Sequence, residues 1–225
     1  MKVITAWSGG KDCCFACYKA IKKGHAVQNL LTFMSAEGRS NFHDLPSEIL
    51  DAHSKSVGIP IFKQPTTKDT YEQNFKKALL ELKQQGAEGL VTGDVYEVPK
   101  HEEGWLERIC KEVGLEPIKP LWFQDTRKIL QEFIDNGFGA IVVKVDTTRL
   151  GLDWLGREIN QQFFDDIIKL DGIDPCGEGG EYHTCIIDGP IFKNRIEIVD
   201  TQRVEGEGFG FLNIKNFSSI PKLRS

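Results

Sequence analysis

The chain has 225 residues, of which 40% are hydrophobic and 27% charged, a composition that fits a globular protein of one large domain or two small ones. Its net charge of −5 provides no electrostatic footprint for nucleic acid, so we expect no nucleic-acid partner. No apolar run approaches the roughly 18 residues of a membrane span, and no apolar signal-peptide core follows the N-terminus. We therefore expect a cytoplasmic protein without a membrane partner.

Strands and helices alternate along the first half of the chain. Apolar, strand-like runs cover residues 2–7, 27–34, 59–62, 89–93 and 117–121. Helical patterns lie between them over 11–23, over 46–57, after a capping box Thr70-x-x-Gln73, and around Trp105–Val113. This alternation predicts an α/β fold with a doubly wound parallel sheet, whose ligand sits at the carboxyl ends of the strands.

The alternation ends in the second half of the chain. A helix over 126–136 and a strand over 140–145 continue it, but 147–175 is irregular apart from a helix around Phe163–Ile168. Short strands separated by glycine-rich turns are predicted for the remainder. We expect two domains, 1–122 and a smaller α+β domain over 123–225, packed closely because no low-complexity linker separates them.

The first strand runs directly into the sequence Ser-Gly-Gly-Lys-Asp-Cys at residues 8–13, where the first helix begins. Glycines let backbone amides approach an anion, and a helix N-terminus adds unpaired amides and the positive end of its dipole. Lys11 would add a positive charge for the phosphates. The spacing is neither that of a Walker loop nor that of a dinucleotide fingerprint. A purely structural turn is the alternative interpretation.

Asp94 follows Gly93 at the end of the fourth predicted strand, at the same edge of the sheet as the first loop. A carboxylate there could hold magnesium or a substrate group. It could equally cap a helix or stabilise a turn.

The six cysteines do not indicate disulfides in a cytosolic chain of this size. Cys14 and Cys17 match C-x-x-C, but no second Cys pair or His pair supports a zinc site. Their helical spacing instead predicts buried small side chains that pack on the sheet.

Residues 176–184 read Cys-Gly-Glu-Gly-Gly-Glu-Tyr-His-Thr and concentrate carboxylates, an imidazole and glycines. Such density indicates a site at which Glu178 and Glu181 approach a ligand. His183 is the nearby side chain expected to titrate around neutrality. A glycine-rich hairpin with solvated acids is the alternative.

Taken together, these motifs resemble the diphthine-ammonia ligase family of PP-loop ATP pyrophosphatases. The resemblance covers essentially the whole chain and is carried by residues 8–12, Gly93-Asp94, Pro120–Trp122, 177–184 and Asp188–Lys193. It implies that ATP is cleaved to AMP and pyrophosphate, that Mg²⁺ neutralises the phosphates, and that ammonia displaces AMP from an adenylated carboxylate.

The resemblance also implies residue roles. The residues expected to bind the nucleotide are Ser8, Gly9, Gly10, Lys11, Asp12, Cys13, Thr32 and Gly93. Those expected to take part in catalysis are Lys11, Asp94, Glu178, Glu181 and His183. Mg²⁺ is expected to bind Asp12 and Asp94. Cys13 stands where the family usually has Ser.

The sequence leaves the identity of the acceptor open. Family members that act on diphthine, a residue of a translation elongation factor, carry Tyr-Gln-Arg after the fourth strand, whereas this chain has Asp94–Pro99. Residues 41–46 and Gly93-Asp94 look more like a bacterial-type branch of the family, so a small carboxylate, for example in cobalamin salvage, is an alternative acceptor. A non-catalytic ATP- or AMP-binding protein is a further alternative, and a homodimer is possible.

Overall fold

The first sheet has five parallel strands. A computed structural model describes residues 1–41, 43–97 and 104–222 of the chain, so Val98 and Pro99 of the segment that departs from the family lie outside it, as does Phe42. The strands, in the order β3-β2-β1-β4-β5, are β1 (Lys2–Ala6), β2 (Ala26–Met34), β3 (Ile61–Pro65), β4 (Gly89–Val91) and β5 (Glu116–Ile118). The connecting helices are α1 (Lys11–Lys22), α2 (Ser47–Val57), α3 (Tyr71–Gln84) and α4 (Trp105–Val113). The predicted α/β parallel sheet is confirmed.

The second sheet has four antiparallel strands in the order β7-β6-β9-β8. Its elements are α5 (Thr126–Asp135), β6 (Gly139–Asp146), α6 (Gln161–Ile167), β7 (Tyr182–Asp188), β8 (Asn194–Gly206) and β9 (Phe209–Pro221). The prediction of short terminal strands is wrong, because β8 and β9 each extend over 13 residues. Glu207 and Gly208, both with positive φ, form the two-residue turn that joins them. Within the described ranges, no helix is both long and apolar enough to cross a bilayer.

Helix α1 lies between the two sheets and shares its core with the second half of the chain. Cys14 and Cys17 are fully buried in this core, as their spacing predicted, and Phe15 packs edge-on against Phe138 at 5.5 Å between ring centroids. Among the described residues, no group of three or more His, Cys, Asp or Glu is arranged to hold a metal ion. The backbone N–H of Ile186 on β7 donates to the carbonyl of Gly9 at 2.9 Å, so the two halves are also joined next to the first loop.

Two local predictions need correction. Thr70 precedes α3, but its side chain does not cap the helix. Its hydroxyl accepts instead from Thr67 N–H at 3.1 Å and from Asn74 Nδ2 at 3.0 Å, so the capping box does not form. The third strand begins at Ile61 and ends at Pro65, later than the predicted 59–62. Its pairing with β2 sets these limits, and local apolar composition does not reveal that pairing.

Gly93 lets β4 end in direct contact with the start of α1. A Cβ on Gly93 would lie 2.6 Å from the carbonyl carbon of Asp12 and 2.6 Å from the backbone nitrogen of Cys13. Backbone atoms cannot move aside as a flexible side chain can. The absence of a side chain at residue 93 therefore positions the first loop against the end of β4.

We expect Gly93→Ala to destabilise the protein by about 1–3 kcal/mol, the usual cost of overpacking a close contact. Gly206→Ala is the matched control, because a Cβ there meets no atom within 4 Å and its φ is not positive. Chemical denaturation of both variants measures the difference. Equal unfolding free energies for the two variants would contradict the close-packing explanation.

Candidate functional site

A cavity of about 770 Å³ opens at the carboxyl ends of the parallel strands, between the first sheet and the 172–184 segment. It brings together most of the residues proposed from the sequence: Ser8, Lys11, Asp12, Cys13, Thr32, Gly93, Asp94, Glu178, Glu181 and His183. Gly9 and Gly10 are not among the described residues that line it. Gly9 instead accepts a hydrogen bond from β7, and the backbone of Gly10 lies against the ring of His43.

The first loop is bonded to the second motif, 173 residues later in the chain. The backbone N–H of Lys11 donates to the hydroxyl of Thr184 at 3.0 Å, and that of Gly10 points to Ser8 Oγ at 3.4 Å. These two amides therefore have partners within the protein, which the sequence did not indicate. Cys13 lies in the first turn of α1, where its thiol donates to the carbonyl of Gly10 at 3.1 Å. Burial raises the pKa of this thiol, so Cys13 stays protonated at neutral pH.

Lys11 is a buried cation in the cavity wall. Its side chain is only 4% exposed, and Nζ donates to Asp12 Oδ2 at 2.8 Å and to the carbonyl of Cys176. Burial by itself lowers the pKa of Lys11. The charge of Asp12, helped by Glu178 and other neighbours, outweighs burial and holds that pKa well above its ordinary value. Lys11 therefore remains charged and ties the first loop to the second motif.

Four carboxyl groups line the cavity together with Lys11, those of Asp12, Asp94, Asp174 and Glu178. Burial raises the pKa of Asp12 and that of Asp94, and the attraction of Lys11 opposes the effect at Asp12. The pKa of Glu178 rises to about 8, first because of burial and then because Asp12, Asp174 and Asp94 repel its charge more than Lys11 attracts it. Glu178 is therefore a carboxyl group that titrates near neutrality.

The expectation that His183 titrates around neutrality is wrong. Burial lowers its pKa well below the ordinary 6.5, and nearby His43 and Lys144 lower it further. The rings of His43 and His183 lie 5.0 Å apart, and the Nδ1–H of His43 donates to the carbonyl of Thr184 at 2.8 Å. Burial lowers the pKa of His43 to about 4, so both imidazoles are neutral at pH 7. The sequence signal for His43 was its place in the segment 41–46.

Glu181 is the most buried acid of the second motif, with a side chain 1% exposed. Its Oε1 pairs with Arg149 at 2.7 Å and accepts from the backbone N–H of Asp174 at 3.1 Å, while Oε2 has no partner among the described residues. Arg149 also donates to the carbonyls of Gly172 and Gly179. Sequence reasoning missed Arg149, because nothing in its neighbourhood of the chain marks it as the partner of a glutamate 32 positions away.

The cavity also contains residues that fit the nucleotide and the Mg²⁺ expected from the sequence. Thr32, buried at the end of β2, lines it and has a hydroxyl without a hydrogen-bond partner among the described residues. A ligand could supply that partner. Asp12 and Asp94 both face the cavity, and Mg²⁺ commonly takes one or two carboxylates with phosphate oxygens and water completing its shell. Two carboxylates therefore suffice for a magnesium ion held together with a nucleotide.

We expect Arg149→Met to cost about 2 kcal/mol of stability. This is less than removal of one partner of a fully buried pair costs, because the arginine side chain is 32% exposed. Adding Glu181→Gln removes the uncompensated charge and should recover part of the loss. Arg195→Met, which breaks an exposed pair with Glu197, should change stability by less than about 0.5 kcal/mol. Additive losses in the Arg149/Glu181 double-mutant cycle would contradict the pairing.

The raised pKa of Glu178 predicts a pH dependence of folding. In the unfolded chain a glutamate has a pKa of about 4.3, so between that value and about 8 the folded protein holds a proton that the unfolded chain has lost. Stability from this group is therefore present below about pH 4 and is lost as pH rises through 8. Glu178→Gln should gain stability relative to the unmodified protein between pH 5 and pH 9.

Urea unfolding at the two pH values measures that gain. Glu205→Gln, on the exposed part of β8, is the control and should show no such trend. A difference between Glu178→Gln and the unmodified protein that stays constant with pH would contradict the raised pKa.

Comparison with known proteins assigns the chain to a family. Models of the diphthamide synthase N-terminal and C-terminal domains match residues 1–117 and 125–220. Proteins named diphthine–ammonia ligase from Bos taurus and Homo sapiens are each 29% identical over 91% of this chain and 85% of the relative. The Schizosaccharomyces pombe protein of that name is 26% identical over 91% of this chain, which spans 37% of its length.

A solved structure, described as a predicted subunit of tRNA methyltransferase from Methanocaldococcus jannaschii, superposes with a TM-score of 0.48 at 17% identity, over 84% of this chain and 98% of that one. A superposition at this level supports no conclusion about function. The two family models cover both halves of the chain, including the first loop and the 176–184 motif, residues of which line the cavity. The chain belongs to the diphthamide synthase family.

Proposed function

We propose that the protein is an ATP-dependent ligase that converts a carboxylate into an amide. A carboxylate oxygen of the acceptor attacks the α-phosphorus of ATP, forming an acyl-adenylate and releasing pyrophosphate. Ammonia then bonds to the acyl carbon, the bond to the AMP oxygen breaks, and the nitrogen loses a proton. Adenylation gives the carboxylate a good leaving group, and holding the reactants in line supplies much of the rate.

One observation carries this proposal: the two motifs, 165 residues apart, meet in a single cavity through Lys11. The first loop alone supports only phosphate binding. The second motif adds Glu178 and Glu181 to the lining of the same cavity. A nucleotide site that shares a wall with a separate acidic site suits the reaction of ATP with a second substrate. Membership of the diphthamide synthase family supports the same reaction.

Each residue has a role that follows from its surroundings. Lys11 stays charged and faces developing negative charge on the phosphates, and Asp12 and Asp94 would hold Mg²⁺, which neutralises that charge when bound. Glu178, with a pKa near neutrality, can accept the proton that ammonia loses. Glu181 is held by Arg149 and positions the segment that carries Glu178. Neutral His183 can offer a hydrogen bond without adding charge.

The acceptor is proposed from the relatives. Their shared name points to diphthine, and we take the diphthine carboxylate of an elongation factor as the first acceptor to test. A small-molecule carboxylate is the second, because the segment after β4 differs from that of the family members that act on diphthine.

The direct test incubates the purified protein with Mg-ATP, ammonium and elongation factor that carries diphthine. We expect AMP, pyrophosphate and the amide in equal amounts, measured by chromatography and mass spectrometry. The same assay with small carboxylates replaces the protein acceptor in a second arm. Formation of ADP and phosphate, or of AMP with no amide from any acceptor, would contradict the proposed ligase.

Lys11→Met tests the role of the central cation. We expect AMP formation to fall on the order of 100-fold, as when a group that stabilises transition-state charge is removed. Lys19→Met is the matched control: it lies on the same helix and loses an ion pair with Glu132, outside the cavity. Retention of activity by Lys11→Met in a folded protein would show that the first loop is only a structural turn.

A further inference from the structure

Two imidazole rings lie next to the first loop on the cavity wall. His43 and His183 both line the cavity, and their ring centroids are 5.0 Å apart. A Cβ on Gly10 would lie 3.0 Å from Nδ1 and 3.1 Å from Nε2 of His43, so this ring packs against the residue that precedes the first turn of α1. The N-terminus of a helix favours anions. An anion held by the first loop would therefore lie beside the imidazole of His43.

The charges around His43 favour a negatively charged ligand. Burial lowers the pKa of His43 to about 4, and the charges of Lys11 on α1 and Lys144 on β6 also lower it. Asp44, the acid next to His43 in the chain, is paired with Arg39 and attracts Lys144. Two cations beside a neutral imidazole provide a favourable place for an anion.

A hydrogen bond fixes which nitrogen of His43 carries the proton. The carbonyl oxygen of Thr184 can only accept, so Nδ1 of His43 is the donor in their 2.8 Å hydrogen bond and Nε2 of the neutral ring keeps a lone pair. A lone pair repels an anionic oxygen. Nε2 can therefore donate to an anion only after the ring has bound a second proton. Binding of an anion at this nitrogen and binding of a proton are coupled for that reason.

We propose that His43 is a further catalytic residue, which takes up a proton when the phosphates of ATP bind and donates Nε2–H to the pyrophosphate that leaves. This inference rests on the proposed ligase function. As the carboxylate oxygen bonds to the α-phosphorus, the bond from that phosphorus to the bridging oxygen breaks, and its electron pair stays on the pyrophosphate. The proton on Nε2 stabilises the developing charge, and it returns to the solvent when pyrophosphate is released.

Calorimetric titration of the full chain with pyrophosphate and Mg²⁺ tests this coupling. Repeating the titration in buffers of different ionisation enthalpy gives the number of protons taken up on binding. If bound pyrophosphate restores the ordinary pKa of 6.5 to His43, this ring contributes an uptake of about half a proton per site at pH 6.5. For the same reason, His43 should raise the affinity for pyrophosphate by about 10-fold between pH 7.5 and pH 5.5.

Variants assign the proton to His43. His43→Asn keeps an amide donor for the carbonyl of Thr184 and removes the titrating ring, so it should lose both this uptake and this rise in affinity. His43→Gln, with a longer side chain that does not titrate, should lose them as well. His25→Gln is the matched control and should behave like the unmodified protein, because His25 lies just before β2, at the opposite end of the strands from the cavity. The titration of pyrophosphate itself is the same in every variant and cancels in these differences.

A second measurement needs no variant. NMR titration follows the imidazole signals of the five histidines in the unmodified protein, with and without pyrophosphate. We expect one imidazole to titrate at about pH 4 in the free protein and near pH 6.5 in the complex.

The inference is overturned if both His43 variants take up as many protons as the unmodified protein, if no imidazole shifts its titration on binding, or if pyrophosphate does not bind. Because these titrations measure binding without turnover, they are independent of the ligase proposal, which fails on the identity of the ATP products. A protein that forms AMP and amide, but whose imidazoles take up no proton with pyrophosphate, would retain the proposed function and lose this inference.

Discussion

The buried ammonium of Lys11 is the interaction on which the site depends. A charge out of water is tolerated only when opposite charges and hydrogen-bond acceptors replace its hydration. Asp12 supplies one partner from the first loop, and the carbonyl of Cys176 supplies another from the second half of the chain. Asp94, Asp174 and Glu178 line the same cavity, where Lys11 attracts the charge of Glu178 and Lys119 attracts that of Asp94.

The contacts of the first loop contribute both to the stability of the fold and to the geometry of the cavity. The backbones of Gly9 and Lys11 are both bonded to β7, so the second sheet helps to hold the first loop in its observed place. The cavity is therefore a product of the contact between the two halves rather than of either sheet. The division into domains at residues 122 and 123 stays a proposal, and the residues proposed for catalysis lie on both sides of it.

The sequence predicted the parts of the fold that depend on local pattern. Continuous apolar runs indicated the buried parallel strands, and the spacing of Cys14 and Cys17 indicated a packed helix face. Pairings distant in the chain were not predictable. Arg149 with Glu181 and His43 with His183 are set by how loops meet, and no local pattern encodes that. The sequence also pointed to the wrong side chain as the one that titrates near neutrality. Burial lowers the pKa of His183 away from neutrality and raises the pKa of Glu178 towards it.

In the proposed reaction, the first loop and the 176–184 motif act together to activate a carboxylate at the α-phosphorus of ATP. An acceptor with its carboxylate labelled with oxygen-18 tests this most directly, with AMP analysed by mass spectrometry after turnover in unlabelled water. Our account predicts that each AMP formed carries one labelled oxygen from the acceptor. Unlabelled AMP alongside amide product would mean that the carboxylate never bonds to the α-phosphorus, and would contradict the account.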